Sequence, residues 1–135
     1  MILRNLPKYK FNKINVHINS EEFPYEPIRI KSQDQYQLFS FKEPVDYGEA
    51  LEAITKEGYE PANIYELSCW KGWNKTSYVA ALGSHINLDG VWHVPCFSMD
   101  WEVSGHRVEK KVLGFCLFGT DKKWNAGSLF LAIKI

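Results

Sequence analysis

The rhythm of apolar and polar residues changes several times along this chain, and each change marks a boundary. NKINVHIN alternates Ile14, Val16 and Ile18 against Asn15, His17 and Asn19, the period-two pattern of a half-buried strand. FPYEP then interrupts it with two prolines, which cannot donate to a strand ladder. PIRIK and QYQLFSF resume as two further short strands around the turn-prone SQDQ. From Asp46 the rhythm becomes helical. Tyr47, Ala50, Leu51 and Ile54 recur on one face, and Asp46 with Glu49 three residues later forms a start signal of the capping-box type. Gly58 supplies the stop. Pro61 suits the first turn of a second helix carrying Ile64, Tyr65 and Leu67. DYGEALEAITKEG and PANIYELSC are therefore expected as two short helices joined by a tight corner.

Past the polar segment KGWNKT the pattern returns to strands. SYVAALGS, VWHVPCF, VLGFCLF and SLFLAIKI are short and apolar, separated by turn residues in LDG, DKK and NAG. VLGFCLF is apolar on both parities, which predicts a central strand covered on both faces. SLFLAIKI predicts a chain end locked into the sheet. The fold class expected is α+β, with two short helices packed on a twisted, mainly antiparallel sheet.

Composition bounds this picture more than it refines it. A chain of 135 residues, 45% hydrophobic and 24% charged, fits one globular domain spanning 1–135. Sixteen basic residues balance sixteen acidic ones. That excludes the basic stripe on which a dedicated nucleic-acid binder relies, and the short cluster Lys8, Lys10 and Lys13 does not reverse it. Cys69, Cys96 and Cys116 are an odd set without CxxC spacing, unlike a secreted disulfide framework. The N-terminal MILRNLPKYKFNK has no apolar run after its charges, and no stretch is long enough to span a bilayer. A soluble, reducing, cytoplasmic setting is expected.

The densest chemistry lies in GVWHVPCFSMDWEVSGHR. His93 and Cys96 could ligate a metal, with Asp100, Glu102 and His106 nearby in sequence. On an extended strand, however, His93 shares a side with Val91, Phe97, Met99, Trp101 and Val103. Cys96 shares the other with Trp92, Val94, Asp100 and Glu102. Only a bend at Pro95 would bring them together. A thiolate–imidazole pair of Cys96 with His85, His93 or His106 lacks an adjoining helix start or glycine-rich oxyanion loop. Asp100 and Glu102 sit about 7 Å apart on one strand face, a spacing common on solvated strands. No metal, cofactor or catalytic group is expected from this stretch.

Five tryptophans remain, in a chain that is 15% aromatic. Trp70 and Trp73 flank WKGWN with Asn74. Trp92 and Trp101 neighbour His93, Asp100, Glu102, His106 and Arg107, and Trp124 closes KKW. Flat rings beside polar tips offer stacking area with directional hydrogen bonds, which a small-molecule, glycan or peptide pocket uses. Core packing uses the same rings, and for Trp92 and Trp101 the two readings are evenly matched; Trp73, between Gly72 and Asn74, is expected at the surface.

The order of segments NSEEFP, QLFSF, EGYEPANIYEL, YVAALGS, DGVWHVPCF and a tryptophan before SLFLAIKI resembles a family of small bacterial proteins. That family shows G-Y-R-P-A with E-L-L, then V-A-L-G-S, G with V-P, and a closing W with R-F-L-A-V-R. The resemblance runs from Ile18 onward, with Glu60 and Ser128 standing where the family has arginines. It implies a fold and no activity. The helix start after G-Y-x-P and the closing strand are also distantly similar to C-type-lectin-like and formylglycine-generating-enzyme-like folds, an analogy of architecture alone.

The expectation that follows is a non-enzymatic binding module. Its loops at 70–76, 87–92, 99–107 and 120–127 would present aromatic and polar groups to a small-molecule, glycan or protein ligand. The alternatives are a hydrolase or metal-dependent enzyme centred on His93, Cys96, Asp100 and His106, and a subunit of a larger protein assembly.

Overall fold

The computed structural model describes residues 13–72, 78–104 and 107–135, with side chains described for 14–72, 78–98 and 114–135. It is an α+β fold in which two short helices cover an open, mixed, mostly antiparallel sheet. The strands are β1 (Lys13–Ile14), β2 (Tyr36–Ser40), β3 (Glu60–Pro61), β4 (Tyr78–Ala80), β5 (Ile86–Leu88), β6 (Val91–Ser104), β7 (Arg107–Gly119) and β8 (Leu129–Ile133). The helices are α1 (Tyr47–Lys56) and α2 (Ile64–Cys69). The main path runs β1-β7-β6-β4-β8-β2, with β3 also on β8 and β5 also on β6. β1 with β7 and β4 with β8 are parallel, and the other pairs are antiparallel.

Strand parity divides the core in two. Leu129, Leu131 and Ile133 of β8, Val79 of β4, Phe97 of β6 and Phe115 of β7 join Ile64, Tyr65 and Leu67 of α2. Phe130 and Ala132 of β8, Ala80 of β4, and Val94 and Cys96 of β6 join Ala50 and Ile54 of α1. The helices thus lie on opposite faces of the sheet. β7 shows the expected two-sided cover, with Phe115 and Leu117 in the first cluster and Cys116 and Phe118 in the second.

Local signals account for the helix starts. Asp46 Oδ1 accepts from the Glu49 N–H at 2.8 Å and Glu49 Oε1 accepts from the Asp46 N–H at 3.0 Å, the reciprocal cap read from sequence. The second helix begins later than Pro61. Asn63 caps it in the same reciprocal way with Glu66, while Pro61 belongs to β3 against Ala132. Asn-x-x-Glu carries the cap chemistry, and the proline two residues earlier only leads into it.

Among the described residues one expected strand is absent and another is cut short. PIRIK has no strand partner, and NKINVHIN is a strand only at Lys13–Ile14. Asn15 Oδ1 accepts from the His17 N–H, and Asn19 Oδ1 accepts from the N–H groups of Glu21 and Glu22. These side-chain-to-backbone bonds offer the chain turns in place of a ladder. The alternation therefore fails: Ile18 is buried, whereas Val16 is 80% exposed.

The β5–β6 hairpin turns on Asp89 and Gly90, both at positive φ, as a two-residue type I′ turn requires. β6 and β7 then form a long ribbon. Residues 99–104 and Arg107 are strand in that ribbon, so the loop expected at 99–107 is instead the end of a hairpin. Pro95 is tolerated inside β6 because its neighbour strands leave a gap there. β5 pairs with 91–93 and β4 with 96–98.

Candidate functional site

Pairing from His93↔Gly119 to Glu102↔Lys110 continues without a shift, so Pro95 makes no bulge. His93 and Cys96, three residues apart on one strand, therefore project to opposite faces. His93 is half-buried, with Nδ1 3.0 Å from the Val91 carbonyl. Cys96 is buried in the α1-side core beside Cys116. The hydrogen bond with Cys116 first and burial second push the Cys96 thiol pKa up, so at rest it is not a poised nucleophile.

The tryptophans divide as follows. Trp70 ends α2 and is buried. Trp124 is 2% exposed; it stacks on Phe118 with ring centres 4.5 Å apart and donates its Nε1–H to the Tyr78 hydroxyl at 3.1 Å. Neither ring faces solvent, which corrects their place among the ligand-presenting aromatics: each fills core space left by short helices. Trp92 is 47% exposed, and its ring stacks on His85 with centres 4.6 Å apart. Asp100, Trp101, Glu102 and Arg107 lie on the β6–β7 ribbon, where their side chains are outside the described set. Trp73, Asn74 and His106 lie outside the described residues. Among the described residues no three His, Cys, Asp or Glu side chains form a metal-binding group, and no helix is long and apolar enough to cross a membrane.

Among the described residues two hollows mark the surface. One is an open groove of about 590 Å³ between the β2 edge and α1, lined by Phe39, Phe41, Lys56, Glu57 and Tyr59 among others. The other is a cleft of about 260 Å³ lined by Glu22, Phe23, Pro24, Tyr25, Glu26, Gly83, Ser84 and His85. Four large apolar side chains are exposed among the described residues. Tyr25 lines this cleft, and Trp92 covers the imidazole of His85, which also lines it.

The cleft is built from segments far apart in sequence and pinned by α2. Tyr65 donates to the Phe23 carbonyl at 2.5 Å and meets the Tyr25 ring edge-on at 5.4 Å. Asn63 Nδ2 donates to the Pro27 carbonyl at 3.1 Å. Ser84 Oγ accepts from the Ile64 N–H at 2.8 Å and donates to Glu26 Oε2 at 3.1 Å, tying the 22–27 loop to the start of α2. Beneath it Glu66, fully buried, binds the backbone N–H and guanidinium of Arg29. Arg29 also reaches Glu60 at 3.3 Å.

The cleft's electrostatics are acidic. Glu22 and Glu26 line it, and among the described residues no lysine or arginine does. His17 Nδ1 lies 2.8 Å from Glu22. Burial first and Glu26 second push the Tyr65 phenol pKa upward, which registers the negative field. The Ser84 hydroxyl is already committed to a backbone N–H and a carboxylate, so it serves as a tie and not as a nucleophile. None of Glu22, Tyr25, Glu26 and Ser84 was among the residues singled out from sequence, and His85 entered there only as a possible imidazole for Cys96. FPYEP marks a proline-bounded surface loop with acids around an aromatic, but nothing in it announces a partner 58 positions away.

Comparison of the chain with protein-family models, with curated proteins and with solved structures gives no match.

Proposed function

We propose that the protein is a non-catalytic binding module that takes a cationic group, an amine or guanidinium on a small molecule or peptide, into the cleft between residues 22–26 and 83–85. The observation that carries this reading is the juxtaposition of two carboxylates with exposed aromatic surface. Glu22 and Glu26 supply charge, and Tyr25 and the Trp92–His85 stack supply ring faces. A cation over an aromatic face gains about 0.5–2 kcal/mol, more as water is excluded. A carboxylate in hydrogen-bond reach adds a charge-assisted bond and direction. The volume suits a compact headgroup. The β2 groove is larger but more open, and the Leu38 carbonyl on that edge already accepts from the Gln37 side chain. The cytoplasmic setting belongs to the same proposal, since Cys69, Cys96 and Cys116 are not joined by disulfides.

Isothermal titration with agmatine and with acetate as the anionic counterpart tests the charge rule. Saturable binding of agmatine alone, weakened at least tenfold in a Glu22→Gln, Glu26→Gln double variant, is the expected result. Equal binding of acetate, or agmatine binding untouched by the double variant, overturns it.

A further inference from the structure

A second feature, in the core beneath α1, is independent of the cleft. Cys96 and Cys116 are direct partners in the β6–β7 ladder. Opposed residues of an antiparallel pair have Cα atoms about 4.5–5.5 Å apart, inside the roughly 4.4–6.8 Å range that a disulfide spans. Their sulfurs lie 2.8 Å apart. The two thiols differ in access: Cys96 is 1% exposed, whereas Cys116 is only partly buried. A polar relay ends on the inner one. Trp124 Nε1–H donates to the Tyr78 hydroxyl, and the Tyr78 hydroxyl hydrogen-bonds the Cys96 thiol. The Cys116 thiol also donates to the Cys96 carbonyl at 3.4 Å. An apolar core position needs none of these bonds, and small hydrophobes would fill it without them.

We infer that Cys96 and Cys116 are a reversible dithiol–disulfide site that exchanges with a low-molecular-weight disulfide of the glutathione class. Cys116, the more accessible thiol, attacks as the thiolate on one sulfur of the external disulfide. That S–S bond breaks, and the first small thiolate leaves and takes up a proton. Cys96, held protonated at rest by its contact with Cys116 and by burial, then attacks the Cys116 sulfur of the mixed disulfide and gives its proton to the second small thiolate as that leaves. One external disulfide is reduced to two thiols, and two protein thiols are oxidised to one disulfide. The Tyr78 hydroxyl is a positioning group: by donating to the Cys96 sulfur it steadies the negative charge that develops there in the second step. In a reducing compartment the resting form is the dithiol, and the bond forms when the small-disulfide fraction rises.

The test is equilibration of the folded wild-type protein in graded reduced and oxidised glutathione, acid quench, alkylation of remaining thiols and peptide mapping by mass. The expected result is a single Cys96–Cys116 linked peptide, with Cys69 alkylated throughout. The ratio of oxidised to reduced protein should scale with oxidised glutathione divided by the square of reduced glutathione, the signature of an intramolecular bond. In a Cys96→Ser variant, Cys116 should stop as a glutathione mixed disulfide. Cys96 and Cys116 both alkylated in oxidised glutathione, a linkage to Cys69 in their place, or a linear dependence in the wild type would overturn the inference.

Discussion

Removing the Glu66 carboxylate tests how the cleft is held. Glu66 is fully buried at the start of α2, and both oxygens are saturated. Oε1 accepts from the Asn63 N–H and Arg29 Nη2, each at 2.9 Å. Oε2 accepts from the Arg29 N–H at 2.8 Å and Arg29 Nε at 3.2 Å. These bonds raise the Arg29 pKa above its ordinary value. Glu66→Ala leaves two backbone N–H groups and a guanidinium without their acceptor. Each unsatisfied buried donor costs about 1–3 kcal/mol, and breaking a buried pair from one side costs about 3–5 kcal/mol. The Arg29 side chain is 32% exposed and can turn to water, which places the total near the lower end, about 3 kcal/mol. An unfolding entropy of roughly 2.1 cal/mol/K per residue then gives a Tm lower by about 10 °C for a chain of this length. Glu60→Ala is the control, because that half-exposed partner of Arg29 should contribute less than about 1 kcal/mol. Urea unfolding followed by circular dichroism measures both. Equal, small losses for the two variants would refute the reasoning, since Glu66 would then act as a surface ion.

Other expectations follow from the same packing. Ile18→Ala should cost about 2–4 kcal/mol and Val16→Ala less than about 0.5 kcal/mol by the same assay, because only Ile18 is buried despite the shared parity. A Cβ at Gly83 would lie 2.6 Å from the backbone oxygens of Pro61 and Ala62. Gly83→Ala should therefore cost about 1–3 kcal/mol and weaken agmatine binding, by displacing Ser84 from Glu26. Burial raises the phenol pKa values of Tyr78 and Tyr36. Their folded pKa values exceed the unfolded one, so this stability is complete below about pH 10 and is lost as pH rises beyond it. Denaturant midpoints should fall steadily above that pH, and flat midpoints there would contradict the burial of these rings.

Much of the fold was legible because local chemistry dictated it. The Asp46–Glu49 cap, the positive-φ stop at Gly58 and the Asp89–Gly90 turn are contained within a few residues. So is the two-sided apolar run around Phe115, whose neighbours of either parity reach separate cores. What misled was alternation whose backbone bonds were diverted. Asn15 captures the His17 N–H and the Asn19 side-chain amide donates to the Val16 carbonyl, two groups that a strand through Val16 would have used. The face each helix covers was not readable, because it depends on whether a strand side chain of odd or even parity meets it. The cleft was hidden for a related reason. Its walls come from 22–26 and 83–85, brought together by Tyr65 and Ser84, and each segment alone reads as an ordinary turn. Tryptophan content pointed to binding surface, yet the rings of Trp70 and Trp124 went inward to fill volume.

The central claim is that the cleft beside Trp92 selects positive charge. Titration of isotopically labelled protein with tetramethylammonium chloride, against sodium chloride at matched ionic strength, tests it most directly. The account predicts saturable shifts confined to the Trp92 indole N–H, the His85 ring and the Tyr25 and Glu26 amides, lost in the Glu22→Gln, Glu26→Gln variant. Shifts that track ionic strength alone, or that fall on the β2 groove at Phe39 and Tyr59 while Trp92 stays still, would contradict it.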